Sequence, residues 1–214
     1  MSIEWERLRS FNGSVESAFE ELCTQLVSNE KYPEGSTFIR NGTPDGGVEC
    51  YWTLPDGSEY GWQVKFYTDL KNPSRWGDID ESVHTALTNH PKLVQYTICL
   101  ALDLPKGGAP GTTSARVRWT SHVKKWESIA KDKGMSVDFQ FWGSHQIWTR
   151  LSAEENRGRY YFWFNKEIFS NDWYEKRVNE SIANVGRDTP ISIMLIYQFP
   201  ISSMDLDGQR NFSE

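Results

Sequence analysis

Apolar positions along the chain recur in two rhythms. Between residues 14 and 28, Phe19, Leu22, Cys23 and Leu26 fall at i, i+3, i+4 and i+7, one apolar stripe that predicts an amphipathic helix. Asn12-Gly13-Ser14 ahead of it offers a turn and an N-cap. Residues 29–47 lose the rhythm and carry turn signals at Pro33, Asn41-Gly42 and Gly46-Gly47, so they read as irregular. Alternation takes over in residues 48–54 and 58–67, which are joined by Pro55-Asp56-Gly57. Pro suits the first turn position and Gly a bulge position with positive φ, so a hairpin with a three-residue loop is expected. That loop opposes Leu54 to Ser58 and Glu49 to Gln63. Val48, Cys50 and Trp52 then share the core face with Trp62, Val64 and Phe66, while Glu49, Gln63 and Lys65 share the other. A two-residue loop would put Glu49 on the wrong face.

Further along, residues 78–89 predict a helix with Ile79, Val83, Ala86 and Leu87 inward. Residues 93–102 form a nearly continuous apolar run, as a strand buried on both faces should. A Gly/Pro-rich loop over 103–114 leads to a helix over 119–133, ended by Gly134, and to a strand over 137–142. Ser144 reads as the cap of a short helix through 150, residues 154–159 as a charged loop, and 160–164 as strand-like. A helix over 171–185, stopped by Gly186, precedes an extended apolar segment at 191–199. Strands alternate with helices, so the expected class is α/β with a mixed sheet. Residues 1–201 are expected to form one domain, and the polar, aperiodic 202–214 the start of a linker to a further domain.

Composition narrows this little. The 214 residues suffice for one domain with a sizeable core. Ten Trp, nine Tyr and eleven Phe make an aromatic-rich chain, whose rings belong mostly to the core with several free for docking. No apolar run approaches the ~20 residues of a membrane span, and the N-terminus lacks the pattern of a signal peptide. Cys23, Cys50 and Cys99 are odd in number, far apart and form no CxxC, which suits buried thiols in a reducing cytoplasm. The net charge of −6 argues against tight, autonomous nucleic-acid binding.

Candidate chemistry gathers around the hairpin. Asp45 in the loop, Glu49 on the strand and Gln63-Val64-Lys65 on its partner would bring two acids, an amide and an ammonium to one face. The plain alternative is a solvent-facing hairpin surface, where Glu opposite Gln or Lys is common. Against that alternative stand Asp45-Gly46-Gly47, whose glycines let a backbone approach a ligand closely, and the apolar anchoring by Trp62, Val64 and Phe66. Glu20 or Glu21 on the first helix can add a further acid. Such acids with a main-chain carbonyl suit Mg²⁺, or Mn²⁺, which prefer oxygen ligands. Lys65 would orient a water or stabilise a pentacovalent phosphate. Other chemistries find no footing. The four His lack ligand spacing, there is no GxxxxGK[ST] or GxSxG, and no Cys has a partner pattern. His84, near Trp76, reads as a helix-surface residue, Lys106-Gly107-Gly108 as a flexible loop, and Trp119 with Trp126 as core.

These residues resemble the PD-(D/E)xK nuclease superfamily, specifically its Mrr-like branch. Phe19-Glu20 matches the helix motif, Asp45-Gly46-Gly47-Val48-Glu49 the second motif and Gln63-Val64-Lys65 the third, with Glu49 where the branch usually has Asp. Phe19-Glu20-Glu21-Leu22-Cys23, Gly61-Trp62-Gln63-Val64-Lys65, His90-Pro91-Lys92-Leu93 and Gly186-Arg187-Asp188-Thr189-Pro190 also resemble the N-terminal nuclease effectors of antiviral STAND NTPases, the phage-sensing Avs proteins. The resemblance implies a restriction-endonuclease-like fold and metal-dependent cleavage of double-stranded DNA. In it Asp45, Glu49 and Glu20 are metal ligands, Gln63 completes the site, and Lys65 is the catalytic lysine. It also implies a homo-oligomer, a tetramer in the full-length protein, assembled through a C-terminal NTPase region when a phage protein is sensed. The competing expectation is an inactive nuclease fold serving protein contacts or DNA docking; a third is an RNase on the same scaffold.

Overall fold

The computed structural model describes residues 3–42, 45–107, 113–165 and 171–184. The expectations for Val185, Gly186, 191–199 and 202–214 lie outside these residues. The chain divides into two compact units, Met1–Ile168 and Phe169–Glu214. Among the described residues the second unit contains one helix, Asn171–Asn184, where the pattern over 171–185 placed it.

The first unit is a mixed α/β structure. Its five strands, β1 (Thr37–Arg40), β2 (Cys50–Thr53), β3 (Glu59–Lys65), β4 (Leu93–Leu100) and β5 (Asp138–Trp142), lie in the order β1-β2-β3-β4-β5. β1, β2 and β3 are antiparallel neighbours, whereas β3, β4 and β5 are parallel. The β2–β3 hairpin has the expected register. Cys50 pairs with Trp62 and Thr53 with Glu59, Leu54 N–H donates to Ser58 O at 2.8 Å, and Gly57 takes φ +82° in the loop.

Five helices cover the sheet: α1 (Val15–Ser28), α2 (Pro73–Asn89), α3 (Ala115–Asp132), α4 (Ser144–Leu151) and α5 (Arg157–Phe164). α1, α4 and α5 pack with Cys50, Trp62, Val64 and Cys99 on one face. α2 and α3 pack with Tyr96, Ile98, Leu100 and Phe139 on the other. β4 therefore has both faces covered, which is why it reads as an unbroken apolar run. The α1 stripe is fully used: Phe19, Leu22 and Cys23 are at 0% exposure and Leu26 at 2%. Each such large side chain contributes about 1.5–3 kcal/mol by burial. All three cysteines are buried and free. Among the described residues no helix is long and apolar enough to cross a membrane.

Several expectations need correction. β1 lies in the segment read as irregular; its residues are mostly exposed, and it is a strand because it pairs with β2, Phe38 opposite Trp52. Residues 154–164 are a 3-10 turn, Glu154–Asn156, followed by helix α5, not a loop and strand. Here burial falls on the adjacent Trp163 and Phe164 while Tyr161 and Phe162 are exposed, and Tyr160 stacks on Phe164 four residues on at 5.3 Å. That is helical spacing, and Asn165 at φ +51° ends the helix in a left-handed cap. α2 and α3 begin earlier than their apolar stripes, where Asn72 and Ser114 cap them by accepting from Ser74 N–H and Val117 N–H. Ser144 is the first residue of α4, not its cap, and its Oγ accepts from Trp5 Nε1–H at 2.9 Å. Val48 lies before β2 and packs in the α2 layer, not with Cys50 and Trp62.

Candidate active site

The hairpin register sets Glu49 beside Gln63, and α2 covers that face. Gln63 is 1% exposed, so the face is no open hairpin surface at this position. Its Nε2 donates to Glu49 Oε1 at 2.9 Å and to Asp45 Oδ2 at 3.3 Å. One amide thus gathers the loop acid and the strand acid. Gln63 Oε1 is buried without a hydrogen-bond partner, an unusual condition for a polar atom.

Asp45 is held by a tight turn. Its Oδ1 accepts from Gly47 N–H at 3.0 Å and its carbonyl from Val48 N–H at 3.2 Å. Asn41 Nδ2 donates to both Asp45 O and Val48 O, and the buried Tyr96 hydroxyl donates to Gly47 O at 2.6 Å. Gly46 and Gly47 take φ of +65° and +84°. A Cβ at Gly47 would come within 2.5 Å of Ser82 O and 2.6 Å of Ala86 N, both backbone atoms of α2. The glycines were expected to let backbone approach a ligand. Instead Gly47 approaches α2, and that contact aims Asp45. Asn41 and Tyr96 were not among the expected site residues, although Asn41 opens an Asn-Gly pair and Tyr96 brings a hydroxyl into the apolar run.

The two acids are pushed apart in acidity. Burial, then the charges of Glu20 and Asp45, raise the Glu49 carboxyl to about 8. Burial also pushes Asp45 up, but the Gly47 N–H and hydrogen bonds from Glu49 and Gln63 outweigh it and hold Asp45 below its ordinary value. At neutral pH the pair shares one proton, which resides on Glu49. Lys65 lies on the same strand face, and its charge favours the ionised form of both acids. With Asp45 it lines a cleft of about 450 Å³ that Tyr67 and the α2 residues Asp78 and Glu81 complete. Tyr67 donates its hydroxyl proton to Asp78 Oδ2 at 2.8 Å, and burial followed by that bond raises the phenol to about 12.

Glu20 stands apart from the Asp45–Glu49–Gln63 group. Its carboxylate pairs with Arg40 at 3.4 Å, yet its charge is the second-largest influence raising Glu49. Glu21 pairs with Arg40 too and accepts from Gln25 Nε2. Of the two, Glu20 is therefore the acid whose field reaches the site. Among the described residues no three of His, Cys, Asp and Glu form a group arranged to hold a metal. His84 is exposed on α2, and Trp76 stacks instead on His122 at 4.5 Å. Trp126 is a fully buried core residue, and the half-buried Trp119 packs against it edge to face.

Two carboxylates with separated acidities joined by one amide, with a lysine on the same strand face and Asp45 and Lys65 lining the 450 Å³ cleft, can bind a cation and an anion side by side. No family model matches the chain, and no curated protein matches it.

Proposed function

We propose that this chain is a metal-dependent DNA endonuclease of the PD-(D/E)xK type. The observation that carries the reading is the joining of Asp45 and Glu49 by Gln63 Nε2, with Lys65 two residues on along the same strand face. Side chains two apart in a strand point the same way, so the lysine stands on the side where the acids are held.

The donor set suits Mg²⁺ or Mn²⁺. It is all oxygen, with Asp45 ionised, Glu49 able to ionise, and Gln63 Oε1 lacking a partner that a cation can supply. Asp45, Glu49 and the Val64 carbonyl or Gln63 Oε1 would hold the ion, and Glu20 would add negative field from α1. When bound, such an ion supplies an activated water and offsets charge developing on the phosphate. Asp45 gives a carboxylate fixed by the Gly47 N–H. Glu49 holds a proton at neutral pH and releases it when a cation approaches. Lys65 presents an ammonium to a phosphoryl oxygen in the cleft, where it stabilises the extra negative charge of the transition state.

The resemblance to antiviral STAND NTPase effectors extends the proposal. The chain would be the nuclease of a cytoplasmic bacterial defence protein that cuts double-stranded DNA, switched on when a C-terminal NTPase region senses a phage protein and assembles a tetramer. A second reading, an inactive nuclease fold used for protein contact or DNA docking, draws on the net charge of −6 and on the lack of a three-acid group among the described residues. Cleavage of supercoiled and linear duplex DNA with Mg²⁺ or Mn²⁺ separates the two. Metal-dependent cutting is expected, with a loss of at least about 10²-fold in Lys65→Ala. Equal cutting by wild type and Lys65→Ala would remove the assigned site, and no cutting with no metal-induced stabilisation would favour the inactive module. RNA substrates in the same assay test the RNase variant.

A further inference from the structure

A second hollow, of about 540 Å³, opens past the ends of β3 and β4. Leu70, Leu102 and Pro105 give it apolar lining, and Lys71 and Arg118 bring two positive charges to it. The chain has 29 acidic and 23 basic side chains, so cations readily find carboxylates. Arg40 pairs with Glu20 and Glu21, Lys125 with Asp80, and Arg150 with Glu30. The side chains of Lys71 and Arg118 make no ion pair or hydrogen bond among the described residues; Lys71 acts on Asp69 only through its field. Two carboxylates also line the hollow, and both are engaged elsewhere. Asp69 accepts from Lys71 N–H at 2.9 Å and pairs with Arg75 at 2.8 Å, while Asp103 Oδ1 accepts from His145 N–H at 3.0 Å. Two uncommitted cations beside an apolar lining are the complement of a nucleotide, with phosphate to the charges and sugar or base to the hydrocarbon.

The hollow is also close to the catalytic cleft. Thr68 lines it and lies three residues beyond Lys65, a separation of at most about 11 Å of chain. That reach is at most about three nucleotide steps at ~3.4 Å of axis each.

We propose that this hollow binds a phosphate of the nucleic-acid strand a few nucleotides from the bond that is cut, with Lys71 and Arg118 as its ligands. The identity of the strand as substrate rests on the nuclease reading; the affinity for a nucleotide phosphate does not. Lys71 and Arg118 thereby hold the strand in register while the separate group at Asp45, Glu49 and Lys65 acts on the neighbouring phosphodiester.

Two measurements test it. In the first, duplex binding by Glu49→Gln, which removes cutting, is compared with binding by the same variant carrying Lys71→Gln and Arg118→Gln, by fluorescence anisotropy over a salt series. Affinity is expected to fall about tenfold or more, and the slope of log K against log salt to shrink by about 1, with partial recovery for Arg118→Lys. In the second, a deoxynucleoside 5′-monophosphate is titrated into wild type and into Lys71→Gln/Arg118→Gln, reading the Leu70 and Leu102 methyl resonances. Shifts in wild type that vanish in the variant support the site even where duplex DNA is neither bound nor cut by the free chain or by the chain fused to a tetramerising coiled coil, an outcome that sinks the nuclease reading alone. Cutting by wild type, beside duplex affinity and salt slope that Lys71→Gln and Arg118→Gln leave unchanged in the Glu49→Gln background, overturns the hollow and leaves the nuclease standing. Silence in both measurements overturns the proposal.

Discussion

At the residue scale, Glu49 is where stability and proposed chemistry meet. Its ordinary value is 4.5, and burial with two neighbouring acids raises it to about 8 in the folded protein. The folded chain therefore keeps a proton that the unfolded chain gives up. The stabilisation is full below about pH 4.5 and is lost as pH rises to about 8, since stability falls with pH wherever the native state binds more protons. Metal-free wild type is expected to lose melting temperature across this window, and Glu49→Gln, which cannot ionise, to lose clearly less. Thermal unfolding in chelator at pH 5 and pH 8.5 reads the difference; parallel losses would mean that Glu49 does not carry this proton. Divalent metal should reverse the order, stabilising wild type more at pH 8.5 than at pH 5, because cation and proton compete for the same oxygens. The meeting of Glu49 with Gln63 was legible in the sequence, since loop length and apolar alternation choose the same register. The layer of Val48 and the purpose of Gly47 were not, because both depend on α2, some thirty residues away in the chain.

At the scale of elements, α2 is the backing plate of the site, and two contacts show how it is held. Gly47 touches its backbone so closely that Gly47→Ala combines overpacking with a disfavoured positive φ. A loss of about 2 kcal/mol or more in chemical denaturation is expected. At Gly46 a Cβ meets side-chain atoms, Asn89 at 3.3 Å and His90 at 3.9 Å, and no α2 backbone, so Gly46→Asn should cost far less; equal losses would show that α2 does not fix the turn. On the opposite flank Asp80 staples α2 to α3. It takes hydrogen bonds from Trp126 Nε1–H and Lys125 at 2.7 Å and meets His122 Nδ1 at 2.8 Å. Asp80→Ala leaves the Trp126 indole N–H buried and unpaired, so a loss of about 1–3 kcal/mol is expected, with less for Asp80→Asn, which keeps an acceptor. Urea unfolding of the pair decides it, and an unaffected Asp80→Ala would make the staple ornamental. Elements with their own periodicity, such as α1, α2 and β4, could be read from the chain. β1 could not, because its mostly exposed residues take strand form only against β2, and α5 could not, because a run of aromatic residues looks alike in either period until packing selects Trp163 and Phe164.

At the scale of the whole molecule, the net charge of −6 sets the terms of the proposed DNA binding. A polyanion repels an acidic protein, and local cations such as Lys65, Lys71 and Arg118 must work against that field. On the proposed reading one copy engages duplex weakly. Several tethered copies engage it as a unit, because once one copy binds, the others face an effective DNA concentration set by the tether rather than by the solution. On the proposed reading this makes the lone chain quiet and the assembled form active without any change in the site itself. Fusing the chain to a tetramerising coiled coil is expected to raise cutting by about 10²-fold or more at equal protomer concentration. The gap should narrow between about 50 and 200 mM salt, because the slope of log K against log salt grows with the number of phosphates contacted and the tethered copies contact more of them. Lys65→Ala in the fusion should erase the gain, which separates cutting by this site from contamination. Equal rates for the free chain and the fusion, across that salt range, would show that proximity is not the switch and that the acidic surface restrains nothing.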